Sequence, residues 1–141
     1  MKYNTLTNLT IILVSMIFIN GCGEKKYADA KTALDESTKL MEEMVTGFDN
    51  AKSASDVAKA MNTYSDKMEK ILPKIKKLNE KYPELNTSDT PPEELKESTE
   101  KAEAVSKKMS NAMMANIAYL NDPEVQKAQQ HMAEILMKLN N

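Results

Sequence analysis

In 141 residues the chain carries 19 basic side chains, all of them lysine, against 21 acidic ones, for a net charge of −2. The lack of arginine removes the planar fork that reads phosphate and guanine, and a mildly acidic balance opposes a polyanion, so nucleic acid is excluded as a partner. One cysteine leaves no internal disulfide, while three glycines, no tryptophan and abundant Ala, Lys, Glu and Met favour helices over a sheet.

The chain opens with a single lysine, Lys2, and an apolar stretch from Leu9 to Ile19 that contains Ile11-Ile12-Leu13-Val14. That is the length of a signal-peptide core, roughly 7 to 15 residues, and short of the about 20 needed to span a bilayer. It closes on Ile19-Asn20-Gly21-Cys22, which resembles the lipobox of bacterial lipoproteins. The resemblance implies cleavage between Gly21 and Cys22, a diacylglycerol on the Cys22 sulfur and an acyl chain such as palmitate on its new amino terminus. Two or three chains on one residue make attachment effectively stable, since each buried methylene contributes about 0.8 kcal/mol. Gly23, where aspartate would signal retention at the inner membrane, implies an outer-membrane address facing the periplasm in a cell with two membranes. The expected division is a cleaved leader at 1–21, a lipidated tether at 22–26 and one helical domain at 27–141.

The apolar period predicts four helices in that domain. Tyr27, Ala30, Leu34, Ser37, Met41, Met44 and Phe48 recur in steps of three and four, giving a first helix from about Glu24 to Phe48, ended by Gly47 and Asp49-Asn50. Val57, Met61, Tyr64, Met68, Ile71, Ile75, Leu78, Tyr82 and Leu85 define a second, capped by Ser55 or Asp56, kinked at Pro73 and stopped by Tyr82-Pro83. Thr90-Pro91-Pro92-Glu93 reads as a capping box for a third, with Leu95, Ala102, Val105, Met109, Met113, Ile117 and Leu120 inward. Asn121-Asp122-Pro123 opens a shorter fourth, carrying Val125, Ala128, Met132, Ile135 or Leu136, and Leu139. Short connections predict an all-α, antiparallel up-down-up-down bundle of three long helices and a short one, after the N-terminal signal helix. No internal repeat is evident.

Candidate chemistry is sparse. Met41, Met44, Met109, Met113 and Met114 have the thioether donors that suit Cu(I), but they coincide with the apolar stripe, where methionine fills space. His131 is the only histidine, and Met41 or Met44 on a first helix with a histidine on the fourth resembles the ligand pair of the soluble b-type cytochromes of the periplasm. That resemblance implies a haem- or copper-binding bundle as the alternative reading. Glu42-Glu43, Glu93-Glu94 and Lys76-Lys77 read as solvated faces, and no Gly-x-Ser-x-Gly turn or phosphate loop joins the remaining polar residues into a catalytic set.

Cys22, the methionine-containing heptads of the second helix and Asp122-Pro123-Glu124 are also similar to small helical lipoproteins, which implies no known active site. The expectation is therefore a non-enzymatic, lipid-anchored envelope module with no cofactor beyond its covalent lipid. It would meet the bilayer through Cys22 and a protein partner through exposed side chains, with Tyr64, Tyr82 and Tyr119 as candidate anchors.

Overall fold

The computed structural model describes residues 26–87 and 90–138. Residues 1–25, which hold the expected leader, Gly21, Cys22, Gly23 and most of the expected tether, lie outside the described residues, as does Leu139. Among the described residues, four α-helices pack against one another: α1 (Ala28–Asp49), α2 (Ala54–Lys81), α3 (Glu93–Ala115) and α4 (Pro123–Met137). Short 3-10 turns follow α2 at Pro83–Asn86 and α3 at Ile117–Tyr119, and no strand occurs among these residues.

Local chemistry sets most helix ends. Ser53, not Ser55 or Asp56, is the N-cap of α2: its hydroxyl accepts from the Asp56 amide, while the Asp56 carboxylate accepts from the Lys52 amide and the Ser53 hydroxyl. Asp122 caps α4 by accepting from the Glu124 amide, with Pro123 in the first turn, where its missing donor costs nothing. The α3 start differs from expectation. Pro92 occupies the N-cap and makes no side-chain cap bond, so the expected box between Thr90 and Glu93 does not form. α2 continues through Pro73, which is exposed.

Successive helices alternate in direction, but they do not all pack on their sequence neighbours. Ion pairs from Lys81 to Asp29, Lys74 to Glu36 and Lys67 to Glu43 rise along α1 as they descend α2, so that seam is antiparallel. α3 lies beside α1 and runs with it, as Lys31 to Ser98 and Phe48 to Asn116 show. α4 lies beside α2 and runs with it, through Asn62 to His131 and Glu69 to Lys138. Two of the three main seams are therefore parallel, where antiparallel neighbours were expected.

The reason lies in side-chain size and in the connection after α2. Ala30, Ala33, Ser37 and Thr38 on α1, with Ser98, Thr99 and Ala102 on α3, present small buried side chains to the bundle interior. The buried hydroxyls of Thr38, Ser65 and Thr99 donate to carbonyls four residues back in their own helices, which satisfies them without a partner across the seam. The turn at Pro83–Asn86 buries Leu85 and carries the chain across the end of the α1–α2 hairpin.

The main core joins all four helices through Met41, Met44, Phe48, Val57, Met61, Tyr64, Met68, Val105, Met109, Val125, Met132 and Ile135. Buried positions also recur at one interval. Tyr27 and Leu95, Met41 and Met109, Met44 and Ala112, Val57 and Val125, Tyr64 and Met132, and Met68 and Leu136 stand as far apart as Phe48 and Asn116, which are 68 residues apart. The second helix pair thus repeats the packing positions of the first with little repeat of residue identity, each of its helices lying on one helix of the α1–α2 hairpin. On α4 the Gln129 side-chain nitrogen is buried without a hydrogen-bond partner.

Gly47 does not end α1, which continues to Asp49. A Cβ built on it would sit 2.7 Å from the Ala60 Cβ, so the glycine permits a close approach of α1 and α2. Gly47→Ala gains helix propensity of about 1 kcal/mol but overpacks this contact at a cost of about 1–3 kcal/mol. Urea unfolding is expected to show a net loss of about 1 kcal/mol, and Gly47→Ala with Ala60→Gly is expected to return to within about 0.5 kcal/mol of the parent. A single Gly47→Ala variant more stable than the parent would contradict the packing argument.

Candidate functional site

The densest polar arrangement lies where the described chain enters the bundle, four residues after Cys22 in sequence. Tyr27 is fully buried and Tyr82, at the far end of α2, is nearly so; their rings meet edge to face with centroids 5.1 Å apart. Such pairs contribute about 0.5–1.5 kcal/mol beyond burial alone. Leu85 and Leu95 complete the pocket, so this end of the molecule has its own small core.

Hydrogen bonds close around the ring pair. The Tyr82 hydroxyl donates within reach of both the Lys26 carbonyl, at 2.6 Å, and Asp29 Oδ1, at 2.9 Å. The Tyr27 hydroxyl donates to Glu84 Oε1 at 3.1 Å, and its amide donates to Glu94 Oε2 at 3.1 Å. Lys26 Nζ pairs with Glu84 at 3.0 Å and lies 4.7 Å from the Tyr27 ring centroid. Lys81 pairs with Asp29 at 2.6 Å and lies 4.8 Å from the Tyr82 ring centroid. Residues from α1, α2, the following turn and α3 are thereby tied together at the point of entry.

The carboxylates of this latch are held in their charged form. Burial pushes Asp29 up, but hydrogen bonds from Lys81, Tyr82 and the Ala30 amide outweigh it and leave the group below the usual aspartate range. Glu84 is lowered first by its bond to Lys26, then by a backbone bond and the Tyr27 hydroxyl. Lys26 is raised by its bonds to Tyr27 and Glu84, and Lys81 by Asp29 and Tyr82.

At the opposite end of the bundle two large apolar side chains reach the surface. α3 stops at Ala115, several residues before the expected Leu120, because Asn116 turns inward. Its side-chain nitrogen donates to the Phe48 and Ala112 carbonyls, and the chain passes into a 3-10 turn. This leaves Met114 at 66% and Ile117 at 56% exposure, so Ile117 does not point inward as the period predicted. Leu120 and Met113 are half-buried.

The remaining candidates are dispersed. Met41 and Met44 are buried in the main core with Met61, Met68, Met109 and Met132, whereas Met114 faces solvent. His131 lies on the outer side of the α2–α4 seam, its Nδ1 3.4 Å from Asn62 Oδ1, and lines an open groove of about 700 Å³ with Asp66, Glu124 and Lys127. Met41 and Met44 are therefore not gathered with His131. Tyr64 is buried, and burial pushes its hydroxyl up. It borders a smaller α1–α2 groove of about 310 Å³, beside Gly47 and Ala60. Tyr119 is half-buried and donates to the Lys52 carbonyl, so none of the three tyrosines is a free surface anchor. Among the described residues no group of three or more His, Cys, Asp or Glu is placed to hold a metal ion, and no helix is long and apolar enough to cross a membrane.

The latch is expected to loosen in acid. Because Asp29 and Glu84 are depressed in the folded state, their contribution is complete above the unfolded values of about 4 and is lost as pH falls through the lower folded ones. Amide exchange at Lys31 and its neighbours should accelerate below about pH 4 while Met61 to Met68 stay protected. Tyr82→Phe removes the shared donor and is expected to cost about 1–3 kcal/mol by chemical denaturation, with exchange of the same first turn already fast at neutral pH. Unchanged exchange in both cases would show that the latch carries no load.

No protein-family model matches this chain, and no curated protein or solved structure matches it either.

Proposed function

We propose that this chain is a lipid-anchored envelope module that works by protein contact and has no catalytic step of its own. Acylation at Cys22, after removal of residues 1–21, attaches it to the bilayer, with the outer membrane facing the periplasm as the favoured site in a cell with two membranes. The observation that carries the reading is the latch at Lys26 and Tyr27. It takes hold within a few residues of Cys22, so force or position at the lipid is transmitted to the bundle and not absorbed by a long linker.

The two ends then have separate roles. Latch and lipid occupy one end; Met114 and Ile117 occupy the other, about 30 Å away along a helix of the length of α1. A partner meeting that apolar tip would do so at the effective concentration imposed by membrane confinement, on the order of millimolar for short tethers. The bundle between them acts as a spacer of fixed length.

Cys22→Ser should abolish incorporation of a fatty-acid analogue and move the protein out of the membrane fraction. A photo-crosslinking residue at Ile117 should capture a discrete partner in the anchored protein and lose at least tenfold of that product in the Cys22→Ser background. Equal lipid label in both forms would overturn the anchor. An anchored protein giving no discrete crosslink from Ile117 would overturn the tip as the contact surface.

A further inference from the structure

We propose that the stretch of α2 from Lys70 to Lys81 rests on anionic phospholipid headgroups, giving the lipid anchor an electrostatic second attachment and the bundle a fixed orientation. This inference rests on the anchor at Cys22. Its starting point is a local reversal of charge. Residues 70–81 hold Lys70, Lys74, Lys76, Lys77 and Lys81 against the single acid Glu80, a net of +4 in a chain whose total is −2.

Lys70, Lys74, Lys77 and Lys81 follow one another at steps of four, three and four along one stripe of α2, and Lys76 lies to the side of it. Lys74 and Lys81 face α1 and are engaged by Glu36 and Asp29. Lys70, Lys76 and Lys77 have no ion pair among the described residues, and they flank the exposed Pro73. Among the described residues α4 follows α2 only as far as the bond from Lys138 to Glu69. Beyond that bond, among the described residues, Lys70 and Lys77 are exposed and Lys76 is half-buried.

The opposite side of the same end has the opposite sign. The first half of α3 carries Glu93, Glu94, Glu97, Glu100 and Glu103 against Lys96 and Lys101, a net of −3. An anionic plane therefore attracts one side of the bundle and repels the other, which selects a single roll angle about the anchor. Distance permits the contact. Four residues from Cys22 to Lys26 reach at most about 14 Å, and residues 70–81 rise about 17 Å along α2 from the latched end. Lys76 and Lys77, one turn from that end, fall within about one Debye length of the headgroups.

The test uses the protein as a bacterial host processes it, extracted in detergent and mixed with vesicles of phosphatidylcholine alone or with about a third phosphatidylglycerol. Amine labelling read by mass spectrometry is expected to slow at least fivefold at Lys70, Lys76 and Lys77 on the anionic vesicles, with Lys52 and Lys127 unchanged. About 0.5 M salt should abolish the protection. Co-flotation with equal labelling on both vesicles overturns the basic-face proposal and leaves the anchor standing. Failure to float with either vesicle overturns the anchor reading itself. Protection of the same lysines by soluble polyphosphate, without any on anionic vesicles, assigns the face to a different polyanion and likewise overturns it.

Discussion

The α1–α2 seam is the constraint on which the other contacts lean. It is pinned at one end by backbone proximity, where Gly47 admits Ala60, and at the other by the Tyr27–Tyr82 ring pair with its hydrogen bonds. Between them runs a ladder of lysine–carboxylate pairs at the surface, which sets register more than it adds stability. α3 and α4 then take up positions on opposite members of this hairpin. Remove either pin and α3 and α4 lose part of the surface on which they pack.

The methionines follow from the same geometry. Met41, Met44, Met61, Met68, Met109 and Met132 all meet in the main core, where an unbranched, polarizable side chain fills the irregular space left when parallel and antiparallel seams share one interior. Truncating a fully buried member such as Met68 to alanine would leave a cavity costing about 2–5 kcal/mol. Their abundance has a packing explanation that requires no ligand.

Helix type and number were legible because the stripes are long and regular. Tyr27 at the N-cap of α1 and Ala30, Ser37, Met41, Met44 and Phe48 along it are all buried, and Val57, Met61, Tyr64, Met68 and Ile71 on α2 follow suit. What periodicity lacks is any report of who packs on whom. The parallel α1–α3 seam is lined by small residues such as Ala33, Ser98 and Ala102, which look neutral in sequence, and the buried Leu85 in the turn before α3 reads as part of a polar connection. The interval of 68 residues leaves no trace in residue identity because it keeps burial alone: Ser37 stands against Val105, and Tyr27 against Leu95. Gly47 looked like a helix stop because a glycine near Asp49-Asn50 ordinarily is one; only the distance to Ala60 distinguishes the two roles. The latch was half visible. Both tyrosines lay on the stripes, but that Tyr82 would reach the Lys26 carbonyl depends on the two helix lengths matching.

The arrangement of α3 and α4 bears on how this molecule opens. Each is supported chiefly by a different helix of the central hairpin, and they pack only weakly on one another. Detaching α4, the shortest of the four and the one bearing the unsatisfied Gln129, leaves the α1–α3 interface in place. Partial unfolding would thus proceed by peeling single helices from a persistent hairpin, with α4 leaving first and α3 retained longest by Glu94 and Asn116.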